Sequence, residues 1–101
     1  MMIVTGVFQL DPPDVEAFLE SRKAAMKNSR AEKGCIEYVM AADPIEPGRV
    51  ILSERWESRA DLDAHVAALR SAPPAPDAAP PVKMISREVW RFEIASSEQS
   101  T

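Results

Sequence analysis

The chain contains one histidine, His65, the only side chain whose ordinary pKa lies close to neutrality. A neutral imidazole can take a proton from an acidic phenol or an activated carbon and give it back, so His65 is the natural candidate for a general base. Its surroundings in sequence leave a second reading open. With Leu62, Val66 and Leu69 it forms an inward helical stripe, where a neutral histidine bonded to a backbone carbonyl would be plain core. Trp56 can stack on a flat aromatic substrate or serve as packing at the core edge. Tyr38 can donate a hydrogen bond to a substrate oxygen or sit at a subunit surface. Phe18, Arg22, Met26 and Ser29 recur at helical spacing and can form a facing wall, packing being the plainer account of Phe18 and Met26. Arg22 lies beside an otherwise apolar stripe, where it can neutralise a phenolate or carboxylate, or snorkel into solvent.

Other chemistries fare worse. Cys35 is the single cysteine, so no internal disulfide can form, and one Cys with one His does not supply a structural zinc site. It follows a helix end rather than opening one, so a buried, inert thiol is expected. Three glycines in all leave no glycine-rich dinucleotide loop, and no cofactor or metal is expected. The formal charge of −4 comes from 12 basic residues scattered among 16 acidic ones, a poor match for a phosphate backbone, so nucleic acid is not an expected partner. No stretch approaches the roughly 20 apolar residues of a membrane span, and the start Met1-Met2-Ile3-Val4-Thr5-Gly6 lacks a basic region ahead of an apolar one. A cytoplasmic location is the expectation.

The elements that must position these residues follow from periodicity and punctuation. Ile3 to Leu10 is rich in β-branched and aromatic residues and stops at Asp11-Pro12-Pro13, which marks a first strand. Asp11 as cap, Pro12 at the first helical position and acidic Asp14 and Glu16 predict a helix that runs to about Ala31. Its apolar face carries Val15, Phe18, Leu19, Ala25 and Met26. Gly34 fits a left-handed helix stop, Ile36 to Ala41 a second strand, and Asp43 to Gly48 a turn. Arg49 to Glu57 alternates, with Val50, Leu52, Glu54 and Trp56 on one face and Ile51, Ser53 and Arg55 on the other. Ser58 with Asp61 caps a second helix. Five prolines over residues 72–81 predict an extended loop, Val82 to Ile94 a last strand, and residues 96–101 a flexible tail.

This order is the α+β, ferredoxin-like split β-α-β-β-α-β arrangement, an antiparallel sheet with two helices on one face. Residues 1–95 read as one domain, since 101 residues divided in two would leave pieces too small to fold alone. Apolar residues occur on both faces of strands one, three and four, so the face without helices needs a cover. Packing two such sheets together in a homodimer provides it.

Ile3-Val4-Thr5-Gly6, the helix end Arg30-Ala31-Glu32-Lys33-Gly34-Cys35 leading to Tyr38, and Glu54-Arg55-Trp56-Glu57-Ser58 followed by Asp63-Ala64-His65 together resemble the antibiotic biosynthesis monooxygenase family of dimeric α+β barrels. The resemblance covers roughly residues 3–70, more weakly 82–94. It implies the fold and a homodimer. It also implies a cofactor-independent monooxygenase acting with molecular oxygen on a small aromatic, phenolic or quinone-like molecule. His65 would be the catalytic base, with Trp56, Tyr38, Arg22, Phe18, Met26 and Ser29 around the substrate. The superfamily also holds cofactor-free isomerases, for which Tyr38 or Glu54 would be the acid, and a non-catalytic dimeric small-molecule-binding protein fits the same frame. Haem-degrading relatives carry an asparagine on strand one and a tryptophan where this chain has His65. Gly6 stands near the first of these positions, so haem degradation is not expected.

Overall fold

The computed structural model describes residues 1–73 and 82–100. Strand β1 (Met2–Leu10) leads through a 3-10 turn (Pro12–Asp14) into helix α1 (Val15–Ala31); β2 (Cys35–Ala42), β3 (Arg49–Trp56), α2 (Arg59–Ser71) and β4 (Met84–Glu93) follow. The strands form one antiparallel sheet in the order β2-β3-β1-β4. The β-α-β-β-α-β reading therefore holds. Residues 74–81, most of the proline-rich stretch expected as a loop over 72–81, lie outside the described residues, as does Thr101 at the end of the expected tail.

Alternation decides the two faces of the sheet. Met2, Val4, Phe8 and Leu10 of β1, Val50, Leu52, Glu54 and Trp56 of β3, and Tyr38 of β2 are buried together with Phe18 of α1 and Leu62 and His65 of α2. Both helices therefore cover this one face. Pairing of Thr5 with Trp90 and of Ile3 with Phe92 puts those aromatics on the opposite face, where they are 57% and 46% exposed. Ile3, Val7, Val39 and Ile51 share that face, half-buried.

Capping differs at the two helix starts. Ser58 Oγ accepts from Asp61 N at 3.1 Å and donates to Asp61 Oδ2 at 2.9 Å, as the capping pair predicts. The Asp11 side chain caps nothing; its backbone carbonyl accepts from Asp14 N at 2.9 Å instead. Of the two usual donors to a cap side chain, Pro13 has no N–H and Asp14 N is already taken by that carbonyl, so none is left for the Asp11 carboxylate. Leu69 also departs from expectation, being 53% exposed. It keeps the inner side of α2 but borders an open cavity rather than the packed core.

Two glycines fix the chain reversals. Gly34 closes α1 at φ 81°, and Gly48 ends the β2–β3 turn at φ 83°. Gly48 O accepts from Leu10 N at 2.8 Å, and a Cβ on Gly48 would run into the Leu10 carbonyl oxygen. Gly48→Ala therefore combines left-handed strain with a backbone clash, and is expected to cost about 1–3 kcal/mol. Urea unfolding checks this as a lowered midpoint at unchanged slope.

Candidate functional site

The site is assembled at one corner of the molecule. The Ser58 cap fixes the start of α2 and so the turn that carries His65. Glu32 sits at the end of α1, two residues before the Gly34 stop. Glu54 and Trp56 point inward from β3, and Tyr38 lies opposite Glu54 on β2. Glu57 N donates to Gly34 O at 2.8 Å, joining the turn after α1 to the segment before α2. Residues distant in sequence are thereby held against one another.

His65 is 2% exposed. Its Nδ1 lies 3.1 and 3.0 Å from the two carboxylate oxygens of Glu32. An ionised carboxylate only accepts, so this geometry assigns the proton to Nδ1 and leaves Nε2 with its lone pair. Nε2 stands 4.0 Å from Glu54 Oε1, beyond hydrogen-bond range. The ring is held between Trp56, with centroids 4.7 Å apart and planes at 36°, and Tyr38, at 5.4 Å and 58°.

Electrostatics follow from burial. Desolvation raises the pKa of Glu54 above the usual carboxylate range, opposed by the hydrogen bond from Trp56 Nε1 at 2.9 Å and by the neighbouring His65. Burial, reinforced by Glu54, pushes the Tyr38 phenol up to about 12, so at neutral pH it is a donor rather than a phenolate. The thiol of Cys35 is likewise raised, first by desolvation and then by Glu32 and Glu54. That agrees with an inert thiol, although Cys35 is half-buried rather than fully enclosed.

A cavity of about 600 Å3 opens between the sheet and the helices. His65, Tyr38, Phe18 and Arg22 border it, together with Glu54, Val4 and Leu52. Trp56, Met26 and Ser29 do not. Trp56 is 0% exposed and stands behind His65, so of its two readings from sequence the structure places it as packing, supporting the imidazole, rather than as a substrate-stacking wall. The Met26 sulfur accepts from Met40 N at 3.4 Å, and Ser29 is buried. Sequence reasoning passed over Glu32, and it considered Glu54 only as an optional acid. Glu54 carried a usable signal, a charged residue alternating with Leu52 and Trp56. Glu32 carried none, being 33 residues from the histidine it orients. Among the described residues no group of three or more His, Cys, Asp or Glu side chains is placed to hold a metal ion.

The raised pKa of Glu54 has a defined sign. The folded state holds this proton more tightly than the unfolded state, so stability falls as pH rises through the window between the ordinary glutamate value and the raised one. Glu54→Gln is therefore expected to be more stable than the parent at neutral pH, with the gap closing as pH falls toward 4.5. Thermal unfolding of both proteins across that range measures it.

The sequence profile described as antibiotic biosynthesis monooxygenase matches residues 1–70. No curated protein matches. Solved structures share the fold at low identity. A Deinococcus radiodurans protein is 14% identical, with TM-score 0.75 over 100% of this chain and 99% of its own. Rv0793 from Mycobacterium tuberculosis is 21% identical, with TM-score 0.68 over 97% and 98%. PA3566 from Pseudomonas aeruginosa is 19% identical, with TM-score 0.67 over 94% of each chain. At these identities the likeness speaks for architecture alone, but the profile spans well over half of the sequence, and the chain belongs to the antibiotic biosynthesis monooxygenase family.

Proposed function

We propose that the chain is a cofactor-independent monooxygenase that oxidises a small phenolic or quinol-like aromatic with molecular oxygen. The observation that carries this reading is His65, whose Nδ1 is bound to Glu32 while Nε2 is left without a hydrogen bond among the described residues, beside the cavity. An imidazole held in that tautomer is a base aimed at one point.

In the proposed reaction Nε2 removes a proton from an acidic CH2 group of the substrate. The Glu32 carboxylate stabilises the imidazolium through Nδ1–H, and the protonated Tyr38 hydroxyl donates to the oxygen on which charge develops. The substrate carbanion passes an electron to oxygen and the pair combine into a peroxide anion, which takes the proton back from His65. Loss of water, with the second C–H proton and the O–O bond, leaves a carbonyl. The net change is CH2 plus O2 to C=O plus H2O, and the substrate supplies every electron.

The fold also supports a homodimer. Ile3, Val7, Val39, Ile51, Trp90 and Phe92 make the helix-free face of the sheet apolar. Among them Glu37 accepts from Ser53 Oγ at 3.0 Å and from Arg55 Nε at 3.1 Å. Two copies packed face to face would remove this surface from water.

Oxygen uptake on a panel of anthrones, which carry the CH2 group that the reaction requires, tests the chemistry. Turnover is expected from the parent, with a loss of about 10²–10⁴-fold in His65→Ala, both proteins being checked for folding. No uptake on any member would favour a non-catalytic binding protein whose histidine is packing between Trp56 and Tyr38. Sedimentation tests the assembly: twice the 11.1 kDa chain mass is expected for the parent, and a monomer for Trp90→Lys combined with Phe92→Lys.

A further inference from the structure

The protein is acidic overall, at −4, yet the charged groups bordering the cavity run the other way. Arg22, Arg70, Arg87 and Arg91 line it, against Glu54 alone. Arg91 is engaged by Asp63 at 3.5 Å. Arg22, Arg70 and Arg87 make no ion pair among the described residues.

Two of these three are held rather than loose. The Arg22 guanidinium lies 5.0 Å from the centre of the Phe18 ring, and that of Arg87 lies 5.9 Å from Phe8. The two rings themselves meet edge to face at 6.2 Å. An Arg-Phe-Phe-Arg row therefore runs from α1 across β1 to β4. The three arginines are exposed at the cavity mouth, while His65 and Glu54, 2% and 5% exposed, lie at its inner end. The cavity thus has a cationic rim, an apolar and aromatic middle, and a floor carrying an imidazole and a carboxylate.

From this polarity we infer that the cavity takes an aromatic molecule bearing a carboxylate remote from its reacting carbon, bound with the carboxylate at the arginine rim and the acidic C–H at the floor. The inference rests on the proposed use of the same cavity. The apolar middle receives the ring system, and the rim neutralises the distal anion through charge-assisted hydrogen bonds from Arg22 and Arg87. The reversed orientation would set the anion against Glu54, so one pose is selected.

Equilibrium binding with a pair of fluorescent probes of like shape tests this: anilinonaphthalene sulfonate, which is anionic, and N-phenylnaphthylamine, which is not. The anionic probe is expected to bind about tenfold more tightly at low salt, as two partly exposed charge contacts provide, with the gap closing as salt is raised. Arg22→Met combined with Arg87→Met is expected to shrink the ratio of the two affinities to about threefold or less, the neutral probe serving as the reference for any change in the apolar middle. Val66→Trp, which fills the cavity from α2, is expected to remove both probes. Equal affinities in the parent would overturn the inference, as would a preference that the double substitution leaves intact or anionic probe still bound in Val66→Trp. The result is independent of the oxygenase reading. Turnover of neutral phenols without charge preference would sink this inference alone, and charge preference without oxygen uptake would sink only the oxygenase.

Discussion

A carboxylate in the core is the constraint around which the rest is arranged. Glu54 stands between Leu52 and Trp56 on the inner face of β3, 5% exposed, and one hydrogen bond from Trp56 Nε1 to its Oε1 at 2.9 Å partly offsets its burial. A buried carboxylate without that partner would be costly. The bond in turn fixes the indole, and the indole forms the surface against which His65 rests. Glu54 also helps keep the Tyr38 phenol protonated. One inward-pointing acid thereby sets the orientation of a tryptophan, the seat of a histidine and the protonation state of a tyrosine.

Glu32 completes the arrangement from the other side. It belongs to the end of α1, and its contact with His65 Nδ1 ties the two helices together at the corner where Gly34 reverses the chain. The left-handed Gly34 does more than end a helix: a Cβ there would collide with the Asp61 carboxylate, the residue that Ser58 caps. Helix stop, helix start and the oriented imidazole are parts of one packed junction.

Much of the fold was legible because it rests on short-range rules. Alternation placed Val50, Leu52, Glu54 and Trp56 on one face, Gly34 marked the end of α1, and Ser58 with Asp61 marked the start of α2. Where the reading failed, the missing information was three-dimensional. Alternation tells which face a side chain takes but not how deep it lies, so it left Trp56 open between a cavity wall and packing, and the indole is found packed behind His65. Helical spacing grouped Met26 and Ser29 with Phe18 and Arg22, yet only the latter two reach the cavity. The Asp11 cap failed for a local reason, since Pro13 carries no donor and the Asp14 N–H goes to the Asp11 backbone carbonyl. The pairing of Glu32 with His65 was not legible at all, because no local pattern links positions on two different helices.

The rim and the floor of the cavity are built from different kinds of position. The floor residues are buried at a junction where a substitution disturbs helix ends, a buried acid and the packing of an indole together. The rim arginines are exposed on the middle of α1, the end of α2 and the edge strand β4, where most replacements cost little stability. The charge at the cavity mouth can therefore change through surface substitutions while the buried corner around His65 stays as it is. A lineage built on this frame can recharge the entrance of its cavity without rebuilding the core beneath it.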